Sequence, residues 1–322
     1  MNNAGSCTRL GFVFPGQGSQ CIGMVTALAT EFSEVRARYH AASEVLSFDL
    51  WKLVTEGPVE ELNRTQNTQP ALLAASVATW DIWTNLAGPL PIMMAGHSFG
   101  EYSALVCAGA LDFETAIALV AERGRLMQEA VPAGQGAMAA ILGLDQGPLE
   151  EVCVEAASAG GVCSCANLNA PGQIVIAGNT TTVDRACELA SQRGAKRAMK
   201  LQVSVPAHCA LMTPAADGLA MRLATVRFEA QRSNVLHNVD VTCHNGAQDI
   251  CDALIRQLYS PVRWIETIEQ FARAGVTHIG ECGPGKVLAS LIKRIDNTLQ
   301  TVAMNEPGGL REFVALARNE LS

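Results

Sequence analysis

Five residues, Gly96-His97-Ser98-Phe99-Gly100, restrict the architecture of this chain more than any other stretch. They follow a short apolar run, Ile92-Met93-Met94-Ala95. The next residues, Glu101-Tyr102-Ser103-Ala104-Leu105-Val106, hold no Pro or Gly and read as a helix that Gly109 closes. A G-x-S-x-G pentapeptide between strand and helix is the pattern of a nucleophile elbow. Its serine takes a strained turn, and the glycines let backbone and helix pass close to it. A tight structural bend asks for glycine in the same way. The pentapeptide alone therefore leaves two readings for Ser98, a nucleophile and a purely structural turn.

Around it, strands alternate with helices. A strand at 10–14 ends in Pro15-Gly16-Gln17-Gly18-Ser19-Gln20, helical patterns cover about 22–43 and 69–86, and Asp112 is placed to cap a helix over 113–130. This alternation predicts an α/β core with a mainly parallel sheet. From 136 the pattern changes to strand 136–144, helix 148–158, strands 162–168 and 173–177, helix 181–193 and strand 196–205. Asn169-Ala170-Pro171-Gly172 forms the turn between the two middle strands. That β-α-β-β-α-β order is the ferredoxin-like arrangement, expected as a small subdomain over 131–205 inserted between 1–130 and 206–322. Afterwards come helix 209–224, strand 234–239, helices 250–258 and 262–274, strand 276–281, the turn Gly283-Pro284-Gly285 and helix 286–296.

Composition narrows the function classes. With 49% apolar and 17% charged residues, against a usual charged share of ~25%, the 322-residue chain can build a large core. A net charge of −8 without a basic run argues against nucleic acid as a partner. The eleven cysteines include no C-x-x-C, and their one close pair, Cys163 and Cys165, falls on a single strand face as small core residues rather than as a metal site. An odd cysteine count and no signal-like segment in 1–16 predict a reducing, cytoplasmic setting. No run reaches the ~18 apolar residues of a membrane helix.

Several residues are candidates for chemistry. Gln17 lies in the first βα turn, where a dinucleotide fingerprint fails because Cys21 stands at the third glycine position. The turn either offers a backbone N–H to an oxyanion or is an ordinary glycine-rich bend. Arg123 falls on the apolar face of helix 113–130, among Leu119, Val120, Leu126 and Met127, with no carboxylate in reach on its own helix. It either finds a distant acid, snorkels to water, or awaits a substrate carboxylate, which a planar guanidinium grips in two parallel bonds. Of the six histidines, His40 lies far upstream and His97 is locked in the turn. His208 follows a strand end and comes after Ser98, as the base does in α/β-hydrolases, which places it ahead of His237 and His278. Asn238 and Gln257 are polar residues in apolar segments, suited either to orienting a histidine or to bonding the backbone.

Taken together, the chain resembles the malonyl-CoA:acyl carrier protein transacylases of bacterial type II fatty acid synthesis. The resemblance runs through Phe14-Pro15-Gly16-Gln17-Gly18-Ser19-Gln20, Gln69-Pro70-Ala71-Leu72, Gly96 to Leu105 and Arg123-Gly124. It continues through Asn169-Ala170-Pro171-Gly172-Gln173, Val203-Ser204-Val205-Pro206-Ala207-His208, Gln257-Leu258-Tyr259 and Gly283-Pro284-Gly285. It implies an α/β-hydrolase-like large subdomain with the ferredoxin-like insertion. It also implies Ser98 as nucleophile, His208 as base, and Arg123 as the clamp on a malonyl carboxylate. The backbone N–H groups of Gln17 and Phe99 become the oxyanion hole, a backbone carbonyl near Gln257 holds the histidine, and Gln69 and Asn169 join the substrate-binding set.

The implied reaction is a ping-pong transfer from malonyl-CoA through a seryl ester to the phosphopantetheine thiol of acyl carrier protein, with no permanently bound cofactor. Two positions depart from the family pattern, Phe99 where leucine is common and Ala207 where serine or phenylalanine is usual; both bear on acyl specificity. An acidic carrier needs a local basic patch, for which Lys196, Arg197 and Lys200, or Lys286, Lys293 and Arg294, are candidates. Competing readings are a polyketide-pathway acyltransferase, a thioester hydrolase using the same serine, and a non-catalytic carrier-binding subunit.

Overall fold

Two sheets organise the chain in the computed structural model, which describes residues 10–201, 203 and 205–319. Cys7, the 1–9 part of the N-terminal stretch, Gln202 and Ser204 lie outside the described residues. The first part of the chain forms β1 (Leu10–Phe14), α1 (Thr26–Glu31), α2 (Ser33–Leu46), α3 (Leu50–Glu56), α4 (Val59–Leu62) and α5 (Thr65–Asn85). The elbow region follows as β2 (Met93–Gly96), α6 (Gly100–Cys107) and α7 (Phe113–Ala130). Next come β3 (Gly136–Leu142), α8 (Gln146–Ala157), β4 (Cys163–Ala170), β5 (Gln173–Asn179), α9 (Thr180–Gln192) and β6 (Arg197–Lys200). A 3-10 turn (Ala210–Met212) leads into α10 (Thr213–Leu223), β7 (Asn234–Leu236), α11 (Ala247–Gln257) and α12 (Trp264–Arg273). The chain closes with β8 (His278–Glu281), α13 (Val287–Ile295), β9 (Gln300–Ala303) and α14 (Pro307–Asn319).

The larger sheet has the order β7-β2-β1-β8-β9 and is parallel throughout, with Phe14 beside Gly96 and Phe12 beside Gly280. Its central strands are buried on both faces, which is why LGFVF and MMAG are continuous apolar runs. On one face Phe12 meets Trp83 with ring centroids 4.9 Å apart, and Trp83 meets Phe313 at 5.2 Å. On the other, Val13, Ala95 and Ile279 pack with Trp264, Ile268 and Phe271. The second sheet, β4-β5-β3-β6, is antiparallel, and its β3-α8-β4 and β5-α9-β6 units are two split β-α-β turns, the ferredoxin-like topology. Ile141, Ile176, Val152, Val183 and Ala186 form the core under it. The sheets are tied where Leu168 N donates to Val262 O (2.9 Å) and Val262 N donates to Ala166 O (2.8 Å), so the end of β4 is fixed against the segment entering α12.

Several boundaries differ from the sequence reading. The helix expected over 22–43 is split, because Phe32 is extended (φ −127°, ψ 119°) where its ring turns onto the core. The strand expected over 196–205 ends at Lys200, after which Leu201 N still donates to Met138 O (2.9 Å). Further along, the Pro206 ring lies against Gly136 at the start of β3. The helix expected over 209–224 opens as a 3-10 turn before Pro214, and the strand over 234–239 stops at Leu236. β4 carries on through Ala170 with register shifts, leaving Pro171 and Gly172 as the turn. The elements α3, α4, β9 and α14 had no place in the sequence reading. Among the described residues, no helix is long and apolar enough to cross a membrane.

The close crossing of α6 over β2 and β1 generates a stability prediction. A Cβ on Gly96 would lie 1.8 Å from the Gly100 carbonyl carbon, and neither backbone can give way. Gly96→Ala is expected to cost roughly 3 kcal/mol in urea unfolding. Gly147→Ala, where a Cβ meets nothing within 4 Å, is expected to stay within about 0.5 kcal/mol of the parent.

Candidate active site

Ser98 stands between β2 and α6 with a left-handed backbone, φ +54°. That conformation is disfavoured for a residue with a Cβ, so its surroundings must hold it. Asn238, just past β7, does so with both ends of its carboxamide: Oδ1 accepts from Ser98 N at 2.7 Å, and Nδ2 donates to Gly96 O at 2.7 Å. Gly100 lets the first turn of α6 lie on β1, since a Cβ there would be 2.4 Å from Phe14 O. The serine side chain is thereby directed out of the turn toward His208.

His208 follows Pro206 and is also left-handed, φ +64°. Its backbone N donates to Leu258 O at 3.0 Å. Its Nδ1 lies 2.8 Å from Gln257 O, which can only accept, so the proton resides on Nδ1. Nε2 is left to accept the Ser98 hydroxyl at 2.7 Å. Burial, aided by the neighbouring Arg123 charge, pushes His208 down to about 3. The imidazole is accordingly neutral at physiological pH, with Nε2 able to accept a proton.

Arg123, on α7, is 1% exposed. Its Nη2 donates to Gln257 Oε1 at 2.9 Å and lies 3.5 Å from Ser98 Oγ, and its guanidinium sits 5.7 Å from the Tyr102 ring centre. Nε has no partner, and no carboxylate of the described residues is in salt-bridge contact with it. Of the readings open from the sequence, the distant acid and the snorkelling side chain both fail. Burial holds this guanidinium below its ordinary value, a cost that an incoming anion would relieve.

These groups open into a cavity of about 430 Å³ whose lining includes Gln17, Gln69, Phe99, Met138 and Ala207 with the three residues above. Among the described residues no hydrogen bond uses the N–H of Gln17 or Phe99, so both remain available. Gln69 donates weakly to Met127 Sδ (3.7 Å), while its Oε1 is buried without a partner. Gln257 brings both its backbone oxygen and its side chain to the site. Asn169 does not line the cavity; its Oδ1 lies 2.8 Å from His97 Nε2 and fixes that ring, while Asn167 lines the cavity two residues earlier. Asn238 holds the serine turn and no histidine.

The remaining histidines stand apart from the serine. His40 lines a separate surface groove of about 740 Å³ with Arg36 and Trp51, His237 is buried against Glu101, and His278 begins β8 beside Thr277. Glu101 was read only as part of the elbow helix, yet it is fully buried in this network; the available signal was a carboxylate in the first turn of an otherwise apolar helix. No group of three or more His, Cys, Asp or Glu among the described residues is arranged to hold a metal ion. Because His208 is depressed, acylation of the serine should stay on its plateau as pH falls through 6.5 and decline only well below it; an acid limb centred near 6.5 in kcat/KM would contradict this geometry.

Known proteins resemble this chain over nearly its whole length. The model of the family described as "Acyl transferase domain" matches residues 11–296. The malonyl CoA-acyl carrier protein transacylase of Escherichia coli K12 is 54% identical over 309 residues, covering 96% of this chain and 100% of its own. That of Bacillus subtilis is 46% identical over 313 residues, covering 97% and 98%. Among solved structures, the transacylase of Coxiella burnetii superposes with a TM-score of 0.94 at 49% identity, covering 98% of each chain. A malonyl-transacylase in complex with a type II PKS acyl-carrier protein gives 0.95 at 52% identity, covering 96% and 100%. On sequence and fold alike, this chain belongs to the malonyl CoA-acyl carrier protein transacylases of the acyl transferase domain family.

Proposed function

We propose that this enzyme moves a malonyl group from malonyl-CoA to the phosphopantetheine thiol of an acyl carrier protein through an ester on Ser98. The observation that carries the reading is the meeting of a Ser98–His208 pair at 2.7 Å with a buried Arg123 that no carboxylate among the described residues contacts in a salt bridge. A hydrolase for neutral esters gains nothing from such a cation. A donor that brings its own carboxylate supplies the missing partner in two parallel charge-assisted bonds.

In this mechanism His208 Nε2 takes the Ser98 proton as Oγ attacks the thioester carbonyl. The developing oxyanion is met by the N–H groups of Phe99 and Gln17; Ser98 N–H is already committed to Asn238, so the hole falls to the residue after the nucleophile. Phe99 also precedes the first turn of α6, whose dipole favours negative charge there. Collapse of the intermediate breaks the C–S bond, and the imidazolium returns its proton to the departing CoA sulfur. The carrier thiol then attacks the seryl ester, His208 accepting its proton, and the proton passes to Ser98 as the malonyl thioester leaves. Gln69, with an unpartnered Oε1, completes the substrate-facing set, while Asn169 acts by fixing His97.

The curated relatives carry the name malonyl CoA-acyl carrier protein transacylase, which favours a fatty acid synthesis carrier. The complex with a type II PKS carrier favours a second reading, supply of a polyketide carrier by the same chemistry. We assign 131–205 as the small subdomain and 1–130 with 206–322 as the large one; the strands of the antiparallel sheet all fall between Gly136 and Lys200. The described cysteines are all free, which fits a reducing cytoplasm.

Intact mass measurement after brief exposure to malonyl-CoA should show a malonyl adduct that is lost in Ser98→Ala and passes to added holo carrier protein. Persistence of the adduct in Ser98→Ala, or its release only to water, would overturn the transfer reading. Arg123→Ala is expected to lower acylation by malonyl-CoA about a hundredfold, the loss of roughly 3 kcal/mol of charged hydrogen bonding. Acylation by acetyl-CoA should change far less.

A further inference from the structure

We propose that Glu101 is a positioning residue for selection of the carboxylated acyl group: it fixes the orientation of the Gln257 carboxamide and, through it, the guanidinium of Arg123. The proposal rests on the malonyl-transfer reading and adds the source of its selectivity.

A fully buried carboxylate is costly unless its lone pairs are taken up. Glu101 has both oxygens engaged. Oε1 lies 2.6 Å from His237 Nδ1, while Oε2 accepts from Asn238 N and from Gln257 Nε2, each at 2.9 Å. No Lys or Arg among the described residues is in salt-bridge contact with it. The carboxylate is itself immobilised, since His237 and Asn238 belong to a loop closed by His237 N to Thr242 O (3.0 Å) and Val241 N to His237 O (2.9 Å).

The two ends of a carboxamide have nearly the same shape and opposite hydrogen-bonding sense, so its neighbours decide which way it faces. Gln257 Nε2 lies between Ser98 O (3.0 Å) and Glu101 Oε2, and both can only accept. Gln257 Oε1 faces Arg123 Nη2, which can only donate. Rotated by half a turn, the amide would set oxygen against two acceptors and NH₂ against a guanidinium. Glu101 supplies the charged half of this lock.

The amide also keeps the two charges apart. A direct Glu–Arg ion pair would occupy the guanidinium face that a substrate carboxylate needs. With Gln257 between them, the amide dipole relays the negative charge of Glu101 to Arg123 while the remaining guanidinium donors stay free for the ligand.

The same oxygen of Glu101 also holds Asn238, and Asn238 holds the serine turn. General damage to that turn slows every acyl donor alike, whereas the Gln257–Arg123 arm concerns only a donor with a carboxylate. The ratio of malonyl to acetyl acylation rates therefore separates positioning from mere support. Rates would be measured by rapid quench and intact mass on the full chain for the parent, Glu101→Gln, Gln257→Met and the double variant. Glu101→Gln keeps the shape and removes the charge. Gln257→Met keeps the backbone carbonyl that His208 uses.

Glu101→Gln should lower the malonyl-to-acetyl ratio at least fivefold, Gln257→Met should do the same, and the double variant should fall no further than Gln257→Met alone, because the first residue acts through the second. A smaller fall in Glu101→Gln with both rates reduced together, or losses that multiply in the double variant, overturns the proposal. An unchanged ratio in Gln257→Met overturns it however Glu101→Gln behaves in folding. Malonyl acylation of the parent reports on the transfer reading by itself, and the ratio reports on Glu101.

Discussion

The catalytic arrangement depends on how Gln257, the last residue of α11, is bonded. Its backbone oxygen fixes the tautomer of His208, its side-chain oxygen holds Arg123, and its side-chain nitrogen holds the Ser98 carbonyl. His208, Arg123 and Ser98 come from three separate stretches of the chain, and a single buried glutamine bonds to all three. The histidine thus needs no acidic third member: a carbonyl that can only accept selects the Nδ1–H form as firmly as a carboxylate would, without adding a charge beside Arg123. The two left-handed residues, Ser98 and His208, face each other across this support. Their strain is compensated by the hydrogen bonds that Asn238 and Leu258 provide.

Electrostatics and burial act together in the cavity. Arg123 and His208 are both nearly excluded from water, and the guanidinium charge helps keep the imidazole neutral. On the proposed reading, a donor carboxylate bound to Arg123 would offset that charge and raise the proton affinity of His208. The cation proposed to select the donor would thereby also adjust the proposed base, an effect strongest where water is excluded. The antiparallel sheet contributes to that closure through Met138 and Asn167 in the cavity wall, with β4 anchored to the segment before α12 by paired backbone hydrogen bonds.

Much of this is visible in the order of residues. The elbow, the Asp112 cap of α7 and the β-α-β-β-α-β run are local patterns of turn chemistry and periodicity, and the structure follows them closely. Boundaries moved where tertiary contacts prevailed, as at Phe32, whose ring packs on the core where the expected helix is interrupted. Asn169 stood in a matching motif but turned out to hold His97, because a motif does not say which way a carboxamide points.

The sequence by itself determined the serine turn, the presence of a cation on an apolar helix face and the class of fold, since each arises from residues within a few positions of one another. Only the tertiary structure decided that Arg123 has no salt-bridge contact with a carboxylate among the described residues, that Asn238 serves the serine rather than a histidine, and that Glu101 is buried at the centre of the network. The bonds that Asn238 and Glu101 make here join residues 136 to 156 positions apart. They exist because the parallel strands β7, β2 and β1 bring their C-terminal ends to one edge, where side chains with no sequence relationship share the same few ångströms.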